Sequence, residues 1–343
     1  MRLENHAGLD HQPLVEIKHL KKYFTIKGGG VFKREKKEIK AVDDVSFQIF
    51  KGETLGLVGE SGCGKSTLGR NLLRLQEPTA GEVLFHGENI LQYKKKQLRD
   101  LRNKMQIIYQ DPFGSLNPRF TIGQIIGEMF AIHGTAKGKE KEQRIKELLA
   151  LVGLDSSRYN SYPHEFSGGQ RQRVGIARAL ALQPEFVVAD EPVSALDVSV
   201  QSQIINLLMK LKEDLGLTLL FIAHGLNVVR HISDRVGVMY LGRMVELSET
   251  DNIFDHPAHP YTAALLTTIP DANPNAKKER IVLKGEVPSP AAPPSGCSFR
   301  TRCPLATERC AKEVPKLQEI RSGHFVSCHY PLEKGQSLRD AIV

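Results

Sequence analysis

A glycine-rich segment near the N-terminus has the residue types that bind phosphate. It lies between an apolar run and a stretch with helical periodicity, and it reads Gly59-Glu60-Ser61-Gly62-Cys63-Gly64-Lys65-Ser66-Thr67. Glycines allow the backbone to pass close to phosphate oxygens, so that successive N–H groups face the anion. In this motif the lysine reaches the β- and γ-phosphates and the Ser66 hydroxyl binds Mg²⁺. The segment, here called the phosphate loop (residues 59–67), therefore predicts a site for ATP and Mg²⁺.

An apolar run that ends in two acids supplies groups for hydrolysis. The run Phe186-Val187-Val188-Ala189 leads into Asp190 and Glu191. We expect Asp190 to bind Mg²⁺, directly or through water, and Glu191 to polarise the attacking water as general base. The alternative for such a pair is a simple acidic cap on a strand.

A third segment, Ser167-Gly168-Gly169-Gln170, precedes an apolar pattern of helical period. Ser167 is a predicted helix N-cap, and the two glycines expose backbone N–H groups at the positive end of that helix. Because such an end attracts phosphate, this signature segment (residues 167–170) is a further candidate for nucleotide binding.

Composition and charge narrow the class of protein. The chain has 343 residues, and its 41% of apolar residues suffice for one large or two modest globular domains. Its longest apolar runs are shorter than the ~20 residues that cross a bilayer, and residues 1–6 are polar where a secretory signal is apolar. We therefore expect a cytoplasmic protein. The net charge of +8 comes from scattered clusters without interleaved aromatic residues, which argues against nucleic acid as a partner.

Strand-like runs alternate with helical patterns, which predicts a largely parallel α/β core. The predicted strands are 15–24, 41–50, 54–58, 105–109, 186–190 and 218–223, and the predicted helices are 65–75, 142–152, 170–182 and 199–215. Residues 81–86 are expected in an antiparallel hairpin, and 27–40 in an exposed hairpin or loop. We assign residues 14–255 to a nucleotide-binding domain and 256–343 to a C-terminal extension with a proline-rich linker.

The extension carries four cysteines, separated by five, six and seventeen residues: Cys297, Cys303, Cys310 and Cys328. A unit this small usually needs a cross-link or a metal, and disulfides are not expected in a cytoplasmic protein. The intervals are wider than the Cys-x₂₋₄-Cys pairs that zinc favours and suit a [4Fe–4S] cluster. Zinc, with His324 or His329 as further ligands, and free buried thiols are the alternatives.

The order of these motifs resembles that of the ATP-binding cassette (ABC) ATPases over roughly residues 14–255. The resemblance implies a P-loop NTPase fold with a RecA-like core, an antiparallel β subdomain and a helical subdomain. In that family the serine and glycines of the signature segment contact the γ-phosphate of ATP held by the opposite subunit. The resemblance therefore implies a head-to-tail dimer with two composite sites.

Two further positions match the family's motifs at strand ends. Gln110 matches the glutamine that senses Mg²⁺ and the transporter interface, and His224 matches the γ-phosphate switch histidine. The residue after this histidine is Gly225, where the family usually has Asp. Because the histidine is intact, we expect hydrolysis to survive with altered local positioning.

The resemblance also assigns a cross-dimer contact and an adenine contact. Asp197, which ends the stretch Ser194-Ala195-Leu196-Asp197, matches the D-loop of the family. Phe24, or alternatively Tyr23, matches the aromatic residue that stacks on adenine.

Three more segments resemble the ATPases of oligopeptide and dipeptide permeases, closest to the F-type subunits of oligopeptide permease. They are residues 108–119, the stretch His259-Pro260-Tyr261-Thr262, and Pro288-Ser289-Pro290 ahead of the cysteines. The family's tail carries an iron–sulfur cluster. The resemblance therefore implies a [4Fe–4S] cluster on the four cysteines in addition to ATP and Mg²⁺.

This family implies an ATP-hydrolysing subunit that energises import of oligopeptides or dipeptides. Its expected partners are a second, homologous ATPase, two transmembrane permease subunits and an extracytoplasmic peptide-binding protein that acts through them. The expected location is the cytoplasmic face of the membrane, and a homodimer is the alternative to two different ATPases. Alternative functions are import of nickel or another small solute and, from a different class, a soluble cassette ATPase in DNA repair or translation.

Overall fold

The computed structural model describes residues 12–28, 35–269, 281 and 283–342, which form two compact units. Among these residues, unit 1 comprises 12–14, Ile49–Thr54 and His86–Ala223, and unit 2 comprises Val15–Gln48, Leu55–Phe85 and the residues from His224 onward. The strands are β1 (Pro13–Gly28), β2 (Glu35–Phe50), β3 (Thr54–Val58), β4 (Ala80–Phe85), β5 (Glu88–Asn89), β6 (Met105–Ile108), β7 (Phe186–Asp190), β8 (Thr218–Ile222), β9 (Arg235–Tyr240), β10 (Arg243–Glu249), β11 (Gln318–Arg321) and β12 (His324–Val326). The helices are α1 (Lys65–Leu72), α2 (Lys95–Lys104), α3 (Ile122–His133), α4 (Gly138–Leu151), α5 (Gly168–Leu180), α6 (Val198–Leu215), α7 (Leu226–Ile232), α8 (Thr250–Asp255), α9 (Pro260–Thr267) and α10 (Glu308–Lys312).

Unit 1 is built on three parallel strands in the order β6-β7-β8. Every side chain of β7 and β8 is buried, as expected for strands covered on both faces. Helices α3, α4 and α5 pack on one another, and α5 also contacts β6 and α6. In the strand register Ile108 pairs with Ala189, and Asp190 pairs with Ile222. The carboxyl ends of the three strands therefore lie at one edge, where ligand sites of parallel sheets form.

Unit 2 contains a sheet in which β3 pairs in parallel with β9, and β9 in antiparallel fashion with β10. The C-terminal hairpin β11–β12 extends this sheet through antiparallel pairing of β12 with β10. A second sheet has the order β2-β1-β4, with β4 antiparallel to β1. The C-terminal extension is therefore joined to the cassette strands by backbone hydrogen bonds.

A small apolar cluster packs the C-terminal part of unit 2 against α9. Ala263 and Ala264 on α9 are buried with Leu332 and Leu338, and Leu305 packs against them. Few apolar residues are available here, so the extension is stabilised by packing on α9 as well as by its own residues. Among the described residues there is no helix with the length and apolar character to cross a bilayer.

The predicted α/β core is confirmed, and β3, β7, β8, α5 and α6 lie within two residues of their predicted bounds. The expected antiparallel strand at 81–86 is present as β4. Of the two possibilities expected at 27–40, the hairpin agrees with the structure, because β1 runs to Gly28, β2 begins at Glu35 and the two strands are neighbours in one sheet. Both strands are longer than the predicted 15–24 and 41–50. Polar residues such as Lys37 and Glu38 are compatible with strand β2 because their side chains are exposed, while strand pairing uses backbone hydrogen bonds. Residues 29–34 lie outside the described residues.

Candidate nucleotide-binding site

The phosphate loop connects the fully buried strand β3 to α1 in unit 2. Gly64, directly before α1, has a φ of 102°, and a Cβ there would lie 1.9 Å from the carbonyl oxygen of Ala41. A Cβ on Gly59 would lie 2.2 Å from the carbonyl oxygen of Met239. Both positions therefore require glycine for steric reasons, since the loop lies directly against neighbouring backbone.

The start of α1 is suited to an anion. Among the described residues no side chain caps this helix, and its first turn contains no acidic residue. The backbone N–H groups of the first turn thus keep the partial positive charge that favours phosphate. This arrangement fits the phosphates of ATP and agrees with the prediction from the motif.

Lys65 is folded into the phosphate loop. Its Nζ donates to the carbonyl oxygens of Gly59 at 2.8 Å and Glu60 at 3.2 Å, and the residue is 4% exposed. The same Nζ lies 3.8 Å from the Cys63 sulfur. Burial raises the pKa of the Cys63 thiol, although the Lys65 charge opposes this. Cys63 is therefore a buried neutral thiol of the loop.

His224 lies beside the phosphate loop in unit 2. Together with Gly59, Glu60 and Gly225 it lines a cavity of about 270 Å³, which Leu265 of α9 also borders. Gly225 occupies the N-cap position of α7, and its side-chain position is open except for a Val228 methyl group at 3.9 Å. The structure therefore brings together the phosphate loop and the predicted switch histidine.

The two candidate adenine-stacking residues on β1 differ in their surroundings. The Tyr23 hydroxyl donates to the carboxylate of Asp43, which also accepts from Arg243 at 2.6 Å. Although burial opposes it, the Tyr23 hydrogen bond and the Arg243 charge lower the pKa of Asp43. The Lys22 ammonium lies over the Phe24 ring, 4.9 Å from the centroid. Tyr23 is thus held by its hydroxyl in a polar network, whereas the Phe24 ring has no such group.

Glu191 and Gln110 meet in unit 1, at the carboxyl ends of β7 and β6. Gln110 Nε2 donates to Glu191 Oε2 at 2.7 Å, and the Glu191 N–H donates to the Ile222 carbonyl oxygen at 3.0 Å. Glu191 is 5% exposed and has a φ of 51°, which a non-glycine residue seldom adopts. Backbone strain of this kind is concentrated at functional sites. Asp190, the last residue of β7, is 2% exposed.

The signature segment forms the start of α5 in unit 1. The Ser167 hydroxyl accepts from the Gln170 N–H at 3.4 Å, and the Gln170 side chain accepts from the Ser167 N–H at 2.9 Å. This reciprocal capping box confirms Ser167 as a helix N-cap. Gly169 lies so close to α6 that a Cβ would be 2.4 Å from a Val200 methyl carbon.

The predicted D-loop follows β7 in the same unit. Ser194 Oγ donates to the Glu191 carbonyl oxygen at 3.1 Å, and Asp197 is the residue before α6. Val198, the first residue of α6, is 78% exposed. The D-loop is therefore tied to the predicted general base while its far end faces solvent.

Comparisons with known proteins identify the family. Residues 42–194 match the family model described as ABC transporter, and residues 245–310 match that of the oligopeptide/dipeptide transporter C-terminal region. The oligopeptide transport ATP-binding protein AppF of Bacillus subtilis is 54% identical over 94% of this chain and 99% of its own length. The chain belongs to this family of ABC transporter ATP-binding proteins. Its sequence-based identification is thus confirmed, and with it an ATP-hydrolysing cassette of the peptide-import class.

Other members and a solved structure agree with this assignment. The dipeptide transport ATP-binding protein DppF of Haemophilus influenzae is 49% identical over 94% of this chain and 98% of its own length. A dimeric structure of the ATP-binding cassette MJ0796, in a post-hydrolysis state bound to ADP and Pi, has a TM-score of 0.61. It is 30% identical to this chain and covers 69% of it, with 98% of its own length matched. The ABC cassette fold is therefore shown for this chain.

The four cysteines of the extension influence one another electrostatically. Burial first, and then the charges of other cysteines, raise the pKa of Cys303 to about 11 and that of Cys328 to about 12. Cys297 and Cys310 are buried, and the Cys297 N–H donates to the Cys310 carbonyl oxygen at 2.8 Å. Within the part of the chain that the structure describes, no group of three or more His, Cys, Asp or Glu side chains could hold a metal ion.

The two histidines considered as zinc ligands have other partners. His324 Nε2 lies 2.7 Å from Oε1 of Glu246, and both side chains are almost fully buried. His329 Nε2 donates to the Glu313 carbonyl oxygen at 3.0 Å. The His324 pair therefore favours a structural role for that histidine over metal binding.

Contacts to Glu60 are absent from the sequence-based predictions. The Glu60 carboxylate pairs with Arg302, and the Glu60 N–H donates to the Tyr261 hydroxyl oxygen at 3.1 Å. Tyr261 lies in the His-Pro-Tyr-Thr stretch, which the sequence marks as a family motif. The motif does not indicate that Tyr261 contacts Glu60. No local pattern signals Arg302, because its partner is 242 residues away.

Proposed function

We propose that this chain is the ATPase subunit of a peptide importer, in which residues 14–255 bind and hydrolyse ATP. The observation that carries the proposal is the similarity to transport ATP-binding proteins over more than nine-tenths of the chain, including the C-terminal region. A soluble cassette ATPase of another class does not account for that region.

In the proposed reaction, the phosphate loop binds the triphosphate through its backbone N–H groups and the start of α1. Lys65 Nζ donates to two loop carbonyl oxygens, which orient the ammonium so that its charge reaches the β- and γ-phosphate oxygens. The matched family positions name Ser66 of unit 2, and Gln110 and Asp190 of unit 1, as residues that would bind Mg²⁺, an ion that neutralises charge on the phosphates. Phe24 stacks on adenine.

Hydrolysis requires a water molecule to attack the γ-phosphorus as the bond to the leaving oxygen breaks. Glu191 accepts the proton of this water, and its hydrogen bond with Gln110 orients the carboxylate. His224, which borders the same cavity as Gly59, contacts the γ-phosphate. These roles are proposed from the matched family positions. The hydrogen bond between Gln110 and Glu191 in unit 1, and the cavity that His224 and Gly59 line in unit 2, support them.

The signature segment and the D-loop serve the nucleotide of a second subunit. Ser167 is exposed at a capped helix start, and Asp197 is exposed before α6. We therefore propose a head-to-tail dimer with a second, homologous ATPase, in which Ser167, Gly168, Gly169, Gln170 and Asp197 contact the other subunit's ATP. Closed and open dimers must differ in nucleotide affinity, because only such a difference can drive two permease subunits.

The dimer is proposed to act at the cytoplasmic face of a membrane. Two transmembrane permease subunits receive its motion, and an extracytoplasmic binding protein delivers peptide to them. We propose that peptide specificity lies outside this chain, because the chain itself is proposed to bind only nucleotide and the permease subunits.

We further propose that Cys297, Cys303, Cys310 and Cys328 hold a [4Fe–4S] cluster in the extension (residues 256–343). Their mutual effect on thiol pKa supports proximity, and a cluster needs wider ligand spacing than a single ion. The cluster would supply a cross-link for a segment with few apolar residues.

The cluster proposal is tested by iron and acid-labile sulfide content of the full chain purified without oxygen. About four of each per chain are expected, with loss in Cys303→Ser and no change in the matched control Cys63→Ser. Zinc in place of iron, or a metal-free wild-type chain, would contradict it.

The transport proposal is tested by uptake of labelled dipeptide, longer oligopeptide and nickel in cells that lack this gene. Peptide uptake is expected to return with the wild-type gene but not with Glu191→Gln, while the surface control Glu185→Gln restores it. Rescue of nickel uptake alone would assign a different solute. An unchanged uptake of all three solutes in the deletion strain would contradict a role in import.

A further inference from the structure

Glu60, the second residue of the phosphate loop, is held on two sides by residues of the C-terminal extension. Arg302 Nη1 lies 2.8 and 3.0 Å from the two carboxylate oxygens of Glu60. The Glu60 N–H donates to the Tyr261 hydroxyl oxygen at 3.1 Å. All three residues belong to unit 2, so the loop and the extension form one packed body at this point.

The same residue is also bound by the lysine of the loop. The Glu60 carbonyl oxygen accepts from Lys65 Nζ at 3.2 Å, and that of Gly59 does so at 2.8 Å. A displacement of Glu60 therefore shifts the carbonyl oxygens that orient Lys65. Lys65 in turn is the residue expected to contact the β- and γ-phosphates.

The pair between Arg302 and Glu60 is largely shielded from solvent. The side chains of Arg302 and Glu60 are 10% and 25% exposed, respectively. Burial alone would lower the pKa of Arg302, but the hydrogen bonds to Glu60 outweigh it and raise this pKa. A carboxylate within a loop that receives a polyphosphate is unfavourable unless a positive charge compensates it, and Arg302 supplies that charge.

A rigid aromatic group supports both contacts. The Phe299 ring lies 5.3 Å from the ring centroids of Tyr240 and Tyr261, and all three residues are almost fully buried. The Arg302 guanidinium lies 5.9 Å from the Tyr240 centroid. Arg302 and Tyr261 therefore have little freedom to leave Glu60.

Buried Glu246 fixes the start of α9 beneath this group. Its carboxylate accepts from the Ala258 N–H at 2.7 Å and the His259 N–H at 3.0 Å, and lies 2.7 Å from His324 Nε2. The stretch that carries Tyr261 and the hairpin β11–β12 are thus tied to β10. The extension consequently presents a preorganised surface to Glu60.

We propose that Arg302 and Tyr261 are positioning residues for the phosphate loop, through which the C-terminal extension raises the affinity of the cassette for ATP. Arg302 neutralises the Glu60 carboxylate, and Tyr261 fixes the Glu60 backbone. The inference rests on the proposed ATPase function and assigns a nucleotide-related role to a region outside the cassette.

The test measures binding of a fluorescent ATP analogue with Mg²⁺ to the purified full chain. Arg302→Met is expected to raise the Kd roughly 5- to 20-fold, because it leaves an uncompensated carboxylate beside the phosphates. Glu60→Gln in the same background is expected to restore most of the affinity, since it removes that charge. A purely structural Arg302 would give no such rescue. The matched control Arg300→Met, which removes a partner of Ser295 in the same segment, is expected to bind as wild type.

Metal content and thermal unfolding of each variant show whether the extension is intact. An unchanged Kd in Arg302→Met, or a double variant that binds more weakly than either single variant, would overturn the proposal. If Arg302→Met does not fold, Tyr261→Phe provides the second test, with a Kd raised about 2- to 5-fold. Its control is Tyr330→Phe, whose exposed hydroxyl interacts with Thr307. An unchanged Kd in Tyr261→Phe would also count against the proposal.

Lys65→Ala separates this inference from the function on which it rests. The variant is expected to lose ATP binding. If it binds as wild type, the ATP site itself is wrong and the inference falls with it. If it loses binding while Arg302→Met and Tyr261→Phe bind as wild type, only the inference is wrong.

Discussion

At the scale of single residues, the hydrogen bond between Gln110 and Glu191 connects two positions whose proposed roles differ. One is expected to sense Mg²⁺ and the permease, and the other to activate water. Because Gln110 Nε2 lies 2.7 Å from Glu191 Oε2, a movement of Gln110 changes the orientation of the base. The left-handed backbone at Glu191 adds to this dependence, since it fixes the direction of the side chain.

Glu191→Gln is expected to reduce the steady-state ATPase rate by at least ~10²-fold, because an amide cannot accept the proton of the attacking water. The ATP Kd is expected to change less than about 2-fold, as the shape of the side chain is kept. A phosphate-release assay and nucleotide binding on the same preparation measure both quantities. The control is Glu185→Gln, a surface carboxylate that lies 2.7 Å from His86 Nε2. Hydrolysis by Glu191→Gln at the wild-type rate would exclude it as the general base.

His259 is expected to make the stability of unit 2 sensitive to acid. Burial lowers its pKa from 6.5 to about 4, although the nearby Glu246 charge opposes this. The folded state therefore keeps His259 neutral, and its contribution to stability is complete above pH 6.5 and decreases as the pH falls from 6.5 through 4. The Phe299 ring packs against the His259 ring, and the Tyr261 N–H donates to His259 Nδ1. Neither Tyr261 nor Phe299 is charged in this pH range, so neither offsets the effect of His259 on stability.

His259→Asn tests this pH dependence. The Asn side chain can still accept the Tyr261 N–H, as His259 Nδ1 does at 3.0 Å, but does not titrate. The variant is expected to show a smaller loss of the urea midpoint between pH 6.5 and 4 than the wild type. Equal pH profiles for the two proteins would assign the acid sensitivity to other groups.

At the scale of elements, the signature helix α5 depends on close packing with α6. A methyl group on Gly169 would approach a Val200 methyl carbon to 2.4 Å, whereas Gly175 has no described heavy atom within 4 Å of the same position. Gly169 and Gly175 lie on the same helix, so alanine substitutions at the two positions can be compared directly. There is no room for a Cβ at Gly169, at the start of the helix, whereas there is room at Gly175.

Gly169→Ala is expected to displace the start of α5 and to weaken ATP-dependent association of cassettes, because we propose that this start contacts the other subunit's nucleotide. Gly175→Ala is expected to leave association unchanged and to stabilise the helix by up to ~1 kcal/mol. Sedimentation with ATP in the hydrolysis-deficient Glu191→Gln background measures association. Equal association for both variants would mean that the position of α5 does not affect the dimer.

Elements with a local signal were predictable from the sequence. The Ser167 cap and the strand–loop–helix of residues 54–72 depend on neighbouring residues, and the structure confirms both. Helix α3 is absent from the predicted elements, although its start signal, the capping box of Thr121 and Gln124, is present in the sequence. Strands β9 and β10 were also not predicted. Their backbone pairing with β3 and β12 stabilises them, and this is a non-local effect that short windows do not contain.

At the scale of the whole molecule, the contacts that tie the extension to the phosphate loop span 201 residues for Tyr261 and 242 residues for Arg302. Such pairs follow from the arrangement of strands and could not be inferred from spacing along the chain. The predicted groups of the site were found by their motifs, but the hydrogen bond between Gln110 and Glu191 and the anchoring of Glu60 emerged only from the fold. The extension is therefore packed against the phosphate loop within unit 2.

The central claim is that ATP hydrolysis by this chain drives peptide across a membrane. Its most direct test is peptide accumulation in proteoliposomes that contain the permease subunits, the partner ATPase and this chain, with ATP supplied on the cassette side. We expect ATP-dependent accumulation of peptide with the wild-type chain, and none with Glu191→Gln although ATP still binds. Accumulation that is equal with the two chains, or ATP hydrolysis by the wild type without any accumulation of peptide, would contradict the claim.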